Sequence, residues 1–400
     1  ATAENDYGYG WLPKNNPANM PTQTQFFGHM EKGQFKMLFN FGSNSTVSIP
    51  DRKIVARGLS KLEMLVVADI FETETAQFWR EPGIDTKSIQ TEVLMLPAAF
   101  VYEKAGTMTN SSRLIQWKEV ALPPLNESLP DLDIIDLIFK KMRELYANST
   151  DPKDDPILKA NWDYRDHGHE ASPLKVLQEL NGYNDNTGQL TASLAEYLAA
   201  PIGTVSTGCW IYAGVTPPNQ NLADRRGSAD PTGLGLNRDY AYAWPGNIRV
   251  LYNRASCDAN GQPVDEKRKL IWWDPAQNLW VGHDGPDVVD RTKGPGTPEG
   301  MVAFKQTPEG VGRLFTASYT SGTMPATPVE SIAAIPIRGA GQCVDGPMPE
   351  FYEPIESPTT NILHPNVQNN PCAKIVSTEF GNPEEYPHVL TTYGVVEHFC

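Results

Sequence analysis

Four hundred residues, 40% hydrophobic and 20% charged, hold enough apolar material for a sizeable core and exceed one ordinary domain, with roughly two to three expected from length. The formal net charge of −15 argues against nucleic acid, whose phosphates are bound by a lysine and arginine excess. No run approaches the roughly eighteen apolar residues of a membrane span.

Residues 1–30 are polar, aromatic and proline-bearing, and read as an irregular lead-in. They have neither the basic n-region nor the apolar h-region of a signal peptide; a cytosolic chain and a chain whose leader lies elsewhere both fit. FKMLFNFGSN (Phe35 to Asn44) is a short apolar run ending in glycine, as a buried strand ends. KLEMLVVADIF (Lys61 to Phe71) reads as a second buried strand with an acid at its carboxyl end, and EVLMLPAAF (Glu92 to Phe100) as a third. The spacers are long enough for crossover helices, so the expected class is α/β with a parallel sheet.

DLDIIDLIFKKMRELYAN places Ile134, Ile135, Ile138, Met142 and Leu145 at helical spacing, with Asp131 after Pro130 as the expected N-cap. A weaker helix is expected over Pro173 to Leu180. From Pro201 to Pro371 the periodicity fades into a stretch dense in proline, glycine and tryptophan. Such a segment reads as a long irregular insertion that survives by packing on a scaffold. VLTTYGVVEHFC, at the end, reads as a strand opening a new unit. The expected organisation is lead-in 1–30, α/β nucleotide-binding domain 31–200, partner-docking insertion 201–370, and the start of a further unit at 371–400.

Two readings are open for Asp69. In open α/β sheets ligands sit outside the carboxyl ends of the strands, where a carboxylate accepts hydrogen bonds from ribose hydroxyls or a guanine edge. Alternatively, Asp69 with Glu72 three residues later is a capping-box pattern. Lys104 suits a phosphate partner or is a surface lysine. No G-x-G-x-x-G follows any strand, which argues against a nicotinamide site. Asp154-Asp155 reads as a solvated turn, and His167 and His169 as two imidazoles in a polar loop with no third ligand nearby. Cys209, Cys257, Cys343, Cys372 and Cys400 are scattered with no C-x-x-C, so neither a zinc ribbon nor an iron-sulfur ligand run is encoded. Free thiols are the expectation, with disulfides the alternative. Asn-x-Ser/Thr triplets begin at Asn44, Asn110, Asn126 and Asn148. With the acidic balance and the aromatics, they leave a second class open, a secreted ligand-binding protein without catalysis.

VVADIFETETAQFW followed by TEVLMLPAAFVYEKAGTMTNSSRLIQW resembles molybdopterin oxidoreductases of the dimethyl-sulfoxide-reductase superfamily. There a strand ending in Asp leads to a Thr-containing helix start, then a leucine-proline strand end, an E-K-x-G turn and an Asn-x-x-Arg segment. GCWIYAG, NRDYAYAWPGNIRVLYNRAS, KRKLIWWD, EGVGRLF and EFYEPIESPTTNILHPNV narrow the resemblance to the large subunits of respiratory-type and periplasmic formate dehydrogenases, from about Tyr9 to Cys400. That resemblance implies formate oxidation to CO2, or the reverse, at tungsten or molybdenum held by bis-molybdopterin guanine dinucleotide. It also implies a [4Fe-4S] cluster, a small iron-sulfur electron-transfer subunit as partner, and a periplasmic location.

Carried over residue by residue, the resemblance gives Asp69 and Thr73 to one guanosine end of the cofactor and Lys104 to its phosphates. Asp131, the acid before the domain's last helix, is a further contact, and Gly42 and Asn44 form the glycine turn passing the nucleotide. Thr392, Tyr393, Gly394, Val395, His398 and Cys400 coincide with the entrance to a C-terminal β-barrel that wraps the second nucleotide; Cys400 stands where many relatives have His or Ser. The resemblance assigns no catalytic residue and no metal ligand to these 400 residues: the cluster cysteines, the selenocysteine or cysteine on the metal, and its neighbouring His and Arg are expected upstream.

Overall fold

Helix α1 (Gln23–Glu31) places Phe26, Phe27 and Met30 along one side, and Phe27 and Met30 are buried against the next long helix. The expected irregular lead-in thus ends in helix, because two aromatics and a methionine in one short turn are too few to show a period in sequence. The computed structural model describes residues 23–49, 51–109, 114–165 and 170–225, parts of 230–297, and short stretches at 353, 357–360, 362 and 384–388.

Strand β1 (Met37–Phe41) is followed by the single turn α2 (Ser45–Ser48) and by α3 (Arg52–Leu59). The Asp51 carboxylate caps α3 by accepting the Ile54 N–H at 3.2 Å. On α3, Gly58 faces α1, where a Cβ would stand 2.9 Å from the Phe27 carbonyl oxygen; the missing side chain sets how closely the helices approach. Strands β2 (Met64–Asp69) and β3 (Glu92–Pro97) complete a parallel sheet of order β1-β2-β3, with Phe39 opposite Val66 and Val66 opposite Leu94. All three expected strands form.

The expected crossover helix between β2 and β3 does not. Turns at 74–77 and a 3-10 turn at Phe78–Arg80 take its place. Pro82 holds Glu81 extended (φ −65°, ψ 138°) and Gly83 follows at φ +87°, so the chain cannot continue as helix.

One face of the sheet packs Leu38, Leu65, Val67, Val93 and Met95 against α1 and α3. Val55, Leu59, Leu65 and Val67 are fully buried there, each contributing roughly 1.5–3 kcal/mol. The other face meets α4 (Asp131–Tyr146), whose Ile134 and Ile138, four residues apart, pack on Phe41, Ala68, Leu96 and Ala98. Of the expected apolar stripe, Ile135, Met142 and Leu145 remain exposed. Pro130, not Asp131, is the N-cap of α4, and it makes no side-chain cap bond. Asp131 is already the first helical residue, because its carboxylate turns to a lysine instead.

Between β3 and α4 lies an antiparallel hairpin, β4 (Gly106–Thr109) and β5 (Leu114–Lys118). Asp155 opens the short helix α5 (Asp155–Lys159) rather than lying in a plain turn. Helix α6 (Pro173–Asn181) starts at Ser172, whose hydroxyl accepts the Lys175 N–H. The strand pair β6 (Tyr183–Asn184) and β7 (Val205–Ser206) brackets α7 (Leu194–Ala199). Strand β8 (Ala241–Tyr242) pairs with β5, and β9 (Ile271–Asp274) with β10 (Leu279–Gly282) forms a separate hairpin.

Residues beyond 200 share packing with those before it. Val215, Ala223, Ala241 and Ala243 form one core with Ile115 and Leu177. The fully buried Asn181 amide ties the segments together, accepting the Gly214 and Thr216 N–H groups at 2.9 and 3.0 Å and donating to the Thr191 and Gly182 carbonyls at 2.9 and 3.1 Å.

Candidate functional site

The carboxyl edge of the sheet is continuous. Gly42 N–H donates to the Ala68 carbonyl at 2.9 Å, Ala98 N–H to the Asp69 carbonyl at 3.1 Å, and Ala99 N–H to the Leu129 carbonyl at 2.8 Å. The ends of β1, β2 and β3 and the lead into α4 therefore stand side by side, which sets Gly42, Asp69 and Asp131 along one edge. Gly42 turns there at φ +56°, a left-handed conformation that favours glycine.

Asp69 ends β2 with only 9% of its surface exposed. Among the described residues its carboxylate accepts one hydrogen bond, from the Ile70 N–H at 2.8 Å. The capping box with Glu72 does not form, since no α-helix starts there. Four residues on, the buried Thr73 hydroxyl has no hydrogen-bond partner among the described residues, although its carbonyl accepts the Gln77 N–H. Buried polar atoms are nearly always paired, so a half-used carboxylate and an orphaned hydroxyl at one strand end leave acceptor and donor capacity for a polar ligand.

Asn44 is used differently. Its amide donates to Glu74 at 2.6 Å and accepts from Thr75 N–H and Oγ at 3.2 and 3.0 Å, while Thr75 Oγ accepts the Thr46 N–H at 3.1 Å. Asn44 is thus the clamp between the loops after β1 and β2. Beside it, Ser45 Oγ donates to the buried Asn40 amide oxygen at 3.2 Å. Nothing in the sequence separates this clamp from a ligand contact, because both put a polar side chain at a strand end.

Lys104 and Asp131 come together as an ion pair, each about 70% buried at the side chain. Both line a cleft of about 520 Å³ that also takes in Lys118, Asp133, Glu170 and the rings of Pro123, Pro124, Pro130 and Pro173. Asp69 and Thr73 are not on its walls, so the four side chains share the sheet edge but not one cavity. Burial pushes the Asp133 carboxyl above its ordinary pKa; the Ala171 N–H, donating at 2.6 Å, opposes this, and the Glu170 and Asp136 charges add to it. Burial and then the Lys104 charge lower the pKa of Lys118, with Asp131 working the other way. Lys118, Asp133 and Glu170 carry no signal in sequence, since each reaches the cleft only through pairing distant along the chain.

Below the cleft, Asp136 is fully buried and accepts from Arg165 and Trp162, with Lys140 at 3.0 Å. Burial alone raises its pKa, but the hydrogen bonds from Lys140, Arg165 and Trp162 outweigh that and hold it below the ordinary value. Tyr164 donates to Glu179, and burial followed by Glu179 raises its pKa; burial, Glu179 and Asp185 push Tyr183 up to about 12.

Thr392, Tyr393, Gly394, Val395, His398 and Cys400 lie outside the described residues, as do His167, His169, Cys343 and Cys372. Cys209 and Cys257 are half-buried thiols outside any disulfide among the described residues, and the Cys257 thiol donates to the Ile271 carbonyl at 3.0 Å. Among the described residues no group of three or more His, Cys, Asp or Glu is placed to hold a metal ion, and no helix is long and apolar enough to cross a membrane.

The parallel sheet, with its buried Asp69 and the Lys104–Asp131 pair, falls inside the segment matched by a known family. Residues 20–141 match the model of the molybdopterin oxidoreductase family. The matched segment contains Gly42, Asn44, Asp69, Thr73, Lys104 and Asp131, and ends inside α4. Similarity to individual proteins runs further. Over 417 residues the chain is 37% identical to the major subunit of the nitrate-inducible formate dehydrogenase of Escherichia coli, covering all of this chain and 38% of that protein. It is 33% identical to formate dehydrogenase subunit alpha of Megalodesulfovibrio gigas, covering 99% of this chain and 38% of the relative. It is 31% identical to formate dehydrogenase 2 subunit alpha (cytochrome c-553) of Nitratidesulfovibrio vulgaris, again over 38% of the relative's length. The chain spans less than two fifths of the curated relatives it matches.

Proposed function

We propose that this chain is part of the catalytic subunit of a formate dehydrogenase. It oxidises formate to CO2, or runs the reverse reaction, at molybdenum or tungsten held by bis-molybdopterin guanine dinucleotide. The similarity to formate dehydrogenase subunits along the whole chain supports the activity. The observation that carries the site is the buried Asp69 carboxylate at the end of a parallel strand, with acceptor capacity to spare.

The residues present fit one nucleotide of such a cofactor. Asp69 offers acceptors for ribose hydroxyls or the N1–H and N2–H₂ edge of guanine, and four residues on Thr73 Oγ offers a hydroxyl unpartnered among the described residues. Lys104 provides the cation for a phosphate, with Asp131 as its counter-charge in the absence of ligand. The glycine turn at Gly42 lets backbone approach a ligand without a side chain in the way. When bound, the metal-pterin group supplies the two-electron chemistry that no side chain can. The part of this chain is to hold the nucleotide end and fix its orientation.

A [4Fe-4S] cluster, a small iron-sulfur partner subunit and a periplasmic location belong to the same proposal, on the resemblance to periplasmic and respiratory-type enzymes. So does a docking role for residues 201–370. Short strands and 3-10 turns in the described part of that stretch, packed on Ile115 and Leu177, support a scaffold-dependent insertion. Residues 371–400 are proposed as the start of the capping barrel.

The test is Asp69→Ala in the complete enzyme, reading guanine and pterin released per polypeptide together with formate-dependent dye reduction. The expected result is a depleted cofactor and a matching loss of dye reduction in a protein that still folds. Full cofactor content in this variant would remove Asp69 from the site.

A further inference from the structure

Lys104 sits just after a 3-10 turn at Val101–Glu103, in extended backbone at φ −141° and ψ 143°. The carbonyls at the exit of such a turn have no partner within it and need donors from elsewhere. Lys118 supplies them. Its ammonium donates to the Val101 carbonyl at 2.7 Å and to the Lys104 carbonyl itself. The following residues grip the same turn, with the Ala121 and Leu122 N–H groups donating to the Tyr102 carbonyl at 2.8 and 3.1 Å. The β4–β5 hairpin sets this arrangement, since Lys118 stands opposite Gly106, two residues past Lys104.

We infer that Lys118 is the positioning residue for Lys104: it fixes the backbone from which the Lys104 ammonium reaches the cleft. The inference rests on the reading that Lys104 serves the cofactor's phosphates. It also explains where in the cleft an anion is held. Four carboxylates line the walls, at Glu103, Asp131, Asp133 and Glu170, against two ammonium groups. The cleft as a whole therefore repels phosphate, and only the corner where Lys104 and Lys118 stand together suits one. The Lys118 ammonium is turned to the Val101 and Lys104 carbonyls, so it holds Lys104 at that corner and leaves the Lys104 ammonium to meet the anion.

The experiment is a double-mutant cycle in the complete enzyme, comparing wild type, Lys104→Ala, Lys118→Met, the double variant and Lys118→Arg. The readouts are pterin and guanine per polypeptide, and amide hydrogen exchange over residues 101–106. Lys118→Met is expected to lower cofactor content about tenfold, as expected for losing hydrogen bonds from a charged donor. It should raise exchange in 101–106 while leaving 64–69 protected. The double variant is expected to be no worse than Lys104→Ala, because a residue acting through Lys104 has nothing left to position. Lys118→Arg, which keeps charge and donors, should recover most of the loss. If Lys118→Met misfolds, shown by lost protection at 64–69, Lys118→Gln carries the cycle. Unchanged cofactor in the Lys118 variants, or an additive loss in the double variant, overturns the inference with the Lys104 reading intact. Full cofactor in Lys104→Ala overturns that reading and the inference with it.

Discussion

Replacing Asn181 by alanine should open the junction between α6 and the residues that follow 200. The amide makes four hydrogen bonds from a position with no solvent exposure. Alanine leaves two N–H groups, of Gly214 and Thr216, and two carbonyls, of Gly182 and Thr191, without that partner. At about 1 kcal/mol for each buried bond, the loss is about 4 kcal/mol, less whatever a water admitted to the space restores. A local opening cheaper by that amount exchanges its amides roughly a thousandfold faster. Hydrogen exchange over residues 210–222 is the assay, with β2 as an internal reference. Asn181→Asp keeps an acceptor for Gly214 and Thr216 but buries a carboxylate against the Gly182 and Thr191 carbonyls, so at neutral pH it should open the junction at least as much as alanine. Unchanged exchange at Gly214 and Thr216 in the alanine variant would refute the claim that Asn181 holds the junction.

Asp136→Asn should weaken protection in α4 by roughly 3–5 kcal/mol at neutral pH, because Arg165 and Lys140 lose a buried counter-charge. The net-lowered pKa of Asp136 means that its stabilisation is present above the unfolded carboxylate pKa of about 3.9 and is lost as pH falls through the folded value. The variant should therefore lose protection less steeply than wild type below about pH 4; parallel acid profiles would contradict this. Thr73→Val, which removes a hydroxyl with no partner among the described residues, should leave the melting of the protein almost unchanged or slightly raised while lowering its cofactor content. A marked destabilisation without cofactor loss would show that the hydroxyl serves the fold.

The parallel sheet was legible because its strands are near-continuous apolar runs, and the runs ending at Phe41, Asp69 and Pro97 are bounded by glycine, acid and proline. Of the buried strands expected, only β2 is buried along its length, whereas the flanking β1 and β3 expose Met37, Phe39 and Leu94. The place of Asp69 at a strand end followed from the same runs. Its role did not, because a helix cap and a ligand contact ask for the same residue. The absent crossover helix was signalled by Pro82 and Gly83, yet the spacer length suggested otherwise. The β4–β5–β8 sheet was hidden for a different reason: Ile115 pairs with Ala241, and no local pattern links residues so far apart. Lys118 reaches the cleft through the β4–β5 hairpin, and Asp133 from α4, where it accepts the Ala171 N–H. Asn181 was hidden because a polar residue ending a helix normally signals a cap, whereas here it is the centre of a buried junction.

The central claim is that the carboxyl edge of the β1-β2-β3 sheet holds a nucleotide end of the cofactor. A structure of the complete, cofactor-loaded enzyme tests it most directly. The Asp69 carboxylate is expected within hydrogen-bonding distance, about 2.6–3.0 Å, of a guanine edge or a ribose hydroxyl, with Thr73 Oγ paired to the same nucleotide. Both nucleotides bound away from this edge, with Asp69 and Thr73 facing only protein, would contradict it.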